Sequence, residues 1–331
     1  MNPSKANDFP WKARKLGQRF RNLHNDHLPG LAQVARWKLG WGPEEAAASD
    51  ESLCKEFEPK TVSPDFEAIF APDPDRIVAT WVGHSTFLLQ IGGRNFLTDP
   101  HFGSHCAPVP LRGFRRQTPP GLSVSQLPRI DAILLSHNHY DHLDLQSLHA
   151  LGRGTAIYCP TGVARLLRGI GARQVFELSW GESADFDGVH LFCLPAQHGS
   201  ARTPFDRNGS LWCRWMLEQG GRKAAFLGDT GYHTLFMEFG NLWGPVDLAM
   251  IPIGAYRPAW FMRPLHLNPS EAVQVHLDLK AKHSAAMHWG TFLLADDPLG
   301  EPALLLKQAR EAAGVSPEAF RLLGLGETWV V

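Results

Sequence analysis

The chain has 331 residues, 44% of them apolar, enough for a substantial core in one large domain or two ordinary ones. Its formal net charge of −1 gives nucleic acid no bulk attraction, so nucleic acid is not expected among its partners. Cys54, Cys106, Cys159, Cys193 and Cys213 are scattered, odd in number and without a Cys-x-x-Cys pair, which argues against both a disulfide framework and a thiolate metal site.

In chain order, residues 1–75 read as a basic arm and connector ahead of a catalytic domain over 76–331. Lys5, Lys12, Arg14, Lys15, Arg19, Arg21, Arg36 and Lys38 stand against Asp8 and Asp26 in the first forty residues, a surplus of six positive charges interleaved with Trp11, Phe20, Trp37 and Leu39. Cations beside tryptophan suit an anionic membrane surface. No amphipathic period is sustained, so the favoured expectation is an arm draped over the body with its aromatics buried. Residues 43 to 75, rich in Pro, Glu, Asp and Ala, read as a solvated connector. No apolar run reaches the roughly 18–20 residues of a membrane-spanning helix, and the polar start at Asn2, Ser4 and Asp8 does not look like a secretory signal. Cytoplasmic residence is the expectation, with the arm as the candidate for peripheral contact with an anionic membrane. Oligomeric state leaves no readable trace.

From Arg76 the pattern turns strand-rich. Residues 77–82, 87–91 and 95–97 read as a meander with a hairpin at Gly92-Gly93. Residues 145–151 and 162–168 read as short helices. Asn268-Pro269-Ser270-Glu271 is a helix start, with Asn268 as cap, Pro269 in the first position and Glu271 reaching back; that helix should run to about Leu279. A last helix over 299–313 stops at Gly314, and residues 328–331 form a final strand.

The chemistry lies where apolar runs end. Residues 132–135 lead into Ser136-His137-Asn138-His139-Tyr140-Asp141-His142-Leu143-Asp144, with three histidines and a carboxylate inside six residues. Imidazole nitrogen and carboxylate oxygen are the usual ligands of zinc and similar divalent metals, and a loop at a strand end can aim several at one point. A polar surface turn has no need of this composition. Three more apolar runs are followed in the same way: 189–194 by His198, 224–227 by Asp229, and 284–287 by His288. If these strand ends share an edge, His137 and His139, two apart in extended backbone, reach one metal together with His198. Asp141, His142 and His288 then take a second, and Asp229 bridges both with its two oxygens. Taken singly, His198 and His288 read as ordinary satisfied or partly exposed histidines before they read as ligands, and Asp229 reads also as a turn aspartate. Two metals about 3.5–4 Å apart can share one hydroxide nucleophile. Five imidazoles with two carboxylates suit zinc best, and iron and manganese occupy similar sets.

At these residues the chain resembles the metallo-β-lactamase superfamily, whose His-x-His-x-Asp-His signature is met in full by His137, His139, Asp141 and His142. The resemblance extends to the N-acyl-phosphatidylethanolamine phospholipase D type through Thr80-Trp81-Val82-Gly83-His84-Ser85-Thr86, Leu97-Thr98-Asp99-Pro100, Gly228-Asp229-Thr230-Gly231-Tyr232, Ile253-Gly254-Ala255-Tyr256 and Met287-His288-Trp289-Gly290-Thr291, over roughly residues 76 to 331. It implies an α/β fold, a four-layer αββα sandwich of two similar halves, holding two zinc ions with His198, Asp229 and His288 among the ligands. The implied reaction is hydrolysis of a phosphodiester in N-acylated phosphatidylethanolamine or a related phospholipid, by attack of a metal-bound hydroxide. In that family the histidine matching His266 lies at the substrate phosphate, so His266 is expected to hydrogen-bond the scissile phosphate or its leaving group; a cap or packing role before Asn268 is the alternative. Asp141 is the candidate acceptor of the water's proton as well as a ligand. His84 and Asp99 either orient ligands from behind or serve structure alone. Trp260, Phe261, Met262 and Leu265 read as an apolar mouth for acyl chains, with Arg263 beside it for an anionic head group. Departures from the family pattern fall in the N-terminal region and between Gly199 and Ser210.

Two other readings stand beside this one. The same metals would hydrolyse a lactone or a β-lactam, which nothing in the ligand set excludes. A non-catalytic metal-binding scaffold has no chemical need for all seven ligand positions.

Overall fold

The computed structural model describes residues 10–25, 29–45, 47–109, 112–151 and 153–331. A small hairpin of β1 (Arg14–Leu16) and β2 (Arg19–Arg21) is followed by helices α1 (Leu31–Lys38), α2 (Glu51–Glu56) and α3 (Phe66–Phe70). The first large sheet is built from β3 (Val78–Gly83), β4 (Thr86–Ile91), β5 (Arg94–Thr98), β6 (Ala132–Leu134), β7 (Ala156–Pro160) and β8 (Gln174–Leu178), with α4 (Leu145–Leu151) after β6. The second contains β9 (Ser183–Phe186), β10 (Val189–Leu194), β11 (Arg214–Gln219), β12 (Arg222–Phe226), β13 (Val246–Pro252), β14 (Ala281–Met287) and β15 (Phe320–Arg321). Its helices are α5 (Leu235–Trp243), α6 (Ala259–Met262), α7 (Pro269–Asp278) and α8 (Glu301–Ala313). The last strand, β16 (Thr328–Val330), returns to pair with β3 in the first sheet.

Each large sheet has seven strands, in the orders β16-β3-β4-β5-β6-β7-β8 and β15-β14-β13-β12-β11-β10-β9. Both repeat one succession. β3, β4 and β5 are antiparallel, then β5 to β8 run parallel. β10, β11 and β12 are antiparallel, then β12 to β15 run parallel. The two similar halves implied by the resemblance are therefore visible in the strand pattern, and the α/β four-layer sandwich is the observed architecture.

Alternation along the strands explains the layers, because successive side chains point to opposite faces. In β6 and the residue after it, Ala132 and Leu134 face the core between the sheets, while Ile133 and Leu135 face an outer core shared with Ile69 of α3 and Leu148 of α4. β7 repeats this with Ala156 and Tyr158 inward and Ile157 and Cys159 outward. The outer face of the second sheet is covered by Phe236 and Phe239 of α5, Val273 and Val275 of α7 and Leu306 of α8.

Local sequence accounts for most of the boundaries. Asn268 caps α7 by accepting from Glu271 N at 2.9 Å while Glu271 Oε2 accepts from Asn268 N at 3.2 Å, and Gly314 ends α8 in the left-handed region. Two expectations are corrected. Residues 162–168 hold only a 3₁₀ turn over Ala164–Leu167, and Gly169 follows at φ +84°. The stretch read as a solvated connector contains α2 and α3, capped by Asp50 and Asp65, which accept from Ser52 and Leu53 and from Ala68. Their lengths of six and five residues are too short for a periodic pattern to declare itself.

The arm packs on the body at Trp11 and Phe20. Trp11 and Phe20 are buried, and the Trp11 ring lies 4.7 Å from that of Phe239. Leu39 and Trp41 are exposed. No helix among the described residues is long and apolar enough to cross a membrane.

Candidate metal centre

β3, β5, β6, β10, β12 and β14 run in one direction within their sheets, so the residues after them gather at one edge of the sandwich. His84 follows β3, Asp99 follows β5, His137 to His142 follow β6, His198 follows β10, Asp229 follows β12 and His288 follows β14. His84, Asp99 and His288 all have positive φ, at 52°, 32° and 58°. That region is costly for side chains with a Cβ and recurs where surroundings over-determine a site.

Seven side chains converge there in two groups. His137 Nε2 lies 2.9 Å from His139 Nδ1, and His198 Nε2 lies 3.1 Å from the same atom. In the second group Asp141 Oδ2 stands 3.2 Å from His142 Nε2 and 3.3 Å from His288 Nε2. Asp229 Oδ2 joins them, 3.2 and 3.1 Å from His142 and His288 and 3.9 and 3.7 Å from His137 and His198. With two oxygens, Asp229 is expected to give one to each metal. Instead a single oxygen, Oδ2, faces both groups, and Oδ1 has no hydrogen-bond partner.

These atoms fit divalent metals better than they fit one another. His142 donates from Nδ1 to Asp99 Oδ2 at 2.7 Å, which leaves Nε2 as a lone pair facing two carboxylate oxygens. That buried atom has no hydrogen-bond partner, and only a shared cation or a proton reconciles such neighbours. Nitrogens about 3.3 Å apart are what two ligands at about 2.0–2.1 Å from a tetrahedral zinc would show, close to the spacings here.

The electrostatics agree. Burial alone would lower His142, but Asp229 and Asp141 outweigh it and hold the imidazole well above its usual range. Burial likewise opposes His288, yet Asp229 and Asp141 raise it to about 9. Burial would raise Asp141 and Asp229, and the surrounding histidines hold both well below the carboxylate range. Positive charge is therefore favoured between the two acids. Burial lowers His137, His139 and His198, keeping them neutral with lone pairs free to bind metal.

Behind the ligands lies a relay centred on Asp99. Ser136 N donates to Oδ1 at 2.7 Å, and Ser136 Oγ donates to Oδ2 at 2.5 Å while lying 2.9 Å from His137 Nδ1. One buried carboxylate thus orients His142 directly and His137 through a hydroxyl. His84 Nε2 lies 3.0 Å from Asp141 Oδ2, and its carbonyl accepts from His288 N at 3.0 Å. His198 donates from Nδ1 to Leu265 O at 3.0 Å.

His266 lies at the same place, with Nδ1 3.9 Å from Asp229 Oδ2 and that nitrogen without a hydrogen-bond partner. Phe261 and Met262, expected at an apolar mouth, are buried instead. The groove that reaches the centre has a volume of about 270 Å³ and is bounded by Val34 of α1, His139, Leu265 and the loop over 199–208. Sequence reasoning also missed Asn22, whose amide pairs with the backbone of His198. Nothing in Arg21-Asn22-Leu23 signals that role.

A beta-lactamase superfamily domain matches residues 94–289. The chain belongs to the metallo-β-lactamase superfamily. It is a metal-dependent hydrolase of that superfamily. It is 35% identical over 323 residues to N-acyl-phosphatidylethanolamine-hydrolyzing phospholipase D 1 of Caenorhabditis elegans, covering 91% of this chain and 88% of that one. An uncharacterized protein of Mycobacterium tuberculosis is 42% identical over 255 residues, 75% of this chain and 68% of its own. Among solved structures, an isothiocyanate hydrolase from Delia radicum gut bacteria aligns with a TM-score of 0.63 at 21% identity, over 76% of this chain and 98% of that one, a likeness of fold.

Proposed function

We propose that the protein is a dinuclear zinc phosphodiesterase of the phospholipase D type, acting on N-acylated phosphatidylethanolamine or a related phospholipid. The observation that carries this reading is the 35% identity to a phospholipase of that specificity across 91% of the chain. His137, His139 and His198 would hold one ion, Asp141, His142 and His288 the other, with Asp229 Oδ2 between them. Two such ions lower the pKa of a bound water from 15.7 toward about 7 and polarise phosphoryl oxygens.

The protein's own groups supply the rest. Burial lowers His266 to about 4, so at neutral pH the ring is uncharged and carries one N–H. That N–H is the proposed donor to the phosphoryl or leaving oxygen, preorganised in a site from which water is largely excluded. Asp141, 13% exposed in its side chain, is the remaining candidate for taking up a proton. The groove beside His139 suits an acyl chain. Phe205, in the loop that bounds it, is 90% exposed, Val34 of its lining is exposed too, and Leu39 and Trp41 are exposed in the segment after α1. Arg36 and Lys38 lie among them, apolar surface and positive charge together, as a membrane carrying anionic lipid would require.

The test is release of phosphatidic acid from N-acylated phosphatidylethanolamine by the zinc-loaded protein, with Asp229→Ala alongside. Release by the wild type alone is expected. A metal-replete wild type that releases none, yet opens a lactone or a cephalosporin, would overturn the lipid assignment.

A further inference from the structure

We infer that the N-terminal segment, which lies outside the matched family domain, is a working part of the metal centre, with Asn22 and Glu45 as positioning residues for His198. The inference rests on the reading of His198 as a metal ligand.

Asn22 is 4% exposed, and its side-chain amide pairs with the peptide of His198 as a neighbouring strand would. Nδ2 donates to His198 O at 2.8 Å and Oδ1 accepts from His198 N at 3.1 Å. Oδ1 also accepts from Trp212 Nε1 at 3.0 Å, which fixes the orientation of the amide. His198 sits four residues beyond the end of β10, where no ladder holds its backbone, and Asn22 supplies the missing partner. Two further contacts tie the same segments. Phe20 N donates to Asn208 O at 2.8 Å, and Gln197 Nε2 donates to Asn25 O at 2.7 Å.

The ring of His198 is held from another direction. Its Nδ1 hydrogen bonds Leu265 O, which fixes the tautomer and turns Nε2 toward His139 and Asp229. Leu265 and His266 both donate backbone N–H to Met262 O, so α6 sets their position. Glu45 caps that short helix with both oxygens, accepting from Ala259 N at 2.9 Å and Trp260 N at 3.0 Å. Gly42 packs so closely on the Trp260 ring that a Cβ there would meet Nε1 at 2.5 Å. One ligand is thus gripped by its peptide through Asn22 and by its imidazole through Glu45, α6 and Leu265 O. Partners one shell out from a metal typically contribute about 10- to 100-fold to its affinity.

The experiment titrates zinc into stripped, full-length protein against a chromogenic chelator, with cobalt(II) absorption as a second readout. A wild type that takes up fewer than two metals would overturn the ligand assignment itself, independently of any variant. Given two metals, Asn22→Ala is expected to keep one at wild-type affinity and to bind the other about 10- to 100-fold more weakly, with the cobalt spectrum of that site alone altered, and Glu45→Ala, acting through α6, is expected to weaken the same site alone by a smaller factor. If Asn22→Ala does not fold, Glu45→Ala, at the surface end of this path, decides. Folded variants that bind both metals with wild-type affinity, or that weaken both sites equally, would overturn the inference even if their Tm is lowered.

Discussion

At the scale of single residues, Asp99 and His266 separate two ways of failing. Asp99 already stands at φ +32°, where Asn is tolerated better than most side chains, so Asp99→Asn keeps the backbone while removing an acceptor shared by Ser136 and His142. It is expected to lower metal affinity and turnover together by about 10- to 100-fold, read by chelator competition beside an activity assay. His266→Ala should leave both metals in place and lower kcat by about 100-fold, the usual effect of deleting one preorganised donor. Equal metal content in wild type and variant is the check, and a loss of metal would return His266 to a structural role. Much of this scale was legible in the sequence, because metal ligation demands particular atoms and the dense run from His137 to His142 has no cheaper explanation. Asn22 was not legible. An amide that satisfies a distant backbone leaves no trace in its neighbours, and 176 positions separate it from His198.

At the scale of elements, boundaries written in local chemistry were readable and those set by tertiary contact were not. The capping box at Asn268, the proline after it and Gly314 specify α7 and the end of α8 without reference to the rest of the fold. Of the mouth expected at Trp260, Phe261, Met262 and Leu265, Leu265 does bound the groove beside α1 and the 199–208 loop, whereas Phe261 and Met262 are buried, an outcome that depends on the body they pack against. Close approaches between elements are equally invisible. A Cβ at Gly254, just beyond β13, would stand 2.2 Å from His288 O. Gly254→Ala must therefore push the end of β13 away from the end of β14, which carries His288 of the second group. Expected are a loss of about 1–3 kcal/mol in urea denaturation, the usual cost of overpacking, and weaker binding of one metal. An unchanged midpoint would show that the strand ends yield freely.

At the scale of the whole molecule, the candidate ligands divide between the sheets: His137, His139, Asp141 and His142 from the first, and His198, Asp229 and His288 from the second. Bound metal would tie the sheets together at one edge, against carboxylates and imidazoles that otherwise compete for protons. Removing metal with a chelator should lower Tm, and restoring zinc should recover it. The linkage is worth about 4 kcal/mol when free metal exceeds Kd by about a thousandfold, provided the unfolded chain does not bind it. Scanning calorimetry with and without zinc checks this, and coincident transitions would deny the tie.

The same division sets a schedule. During synthesis the chain emerges from its N-terminus, and the first group of histidines is present once residue 198 has appeared but is held in place only after Trp212 and Leu265 have followed. The second group waits for His288, close to the end of the 331 residues. A growing polypeptide therefore lacks the second group of candidate ligands until its last strands are made, and a translation product cut short before His288 would carry only part of the candidate centre.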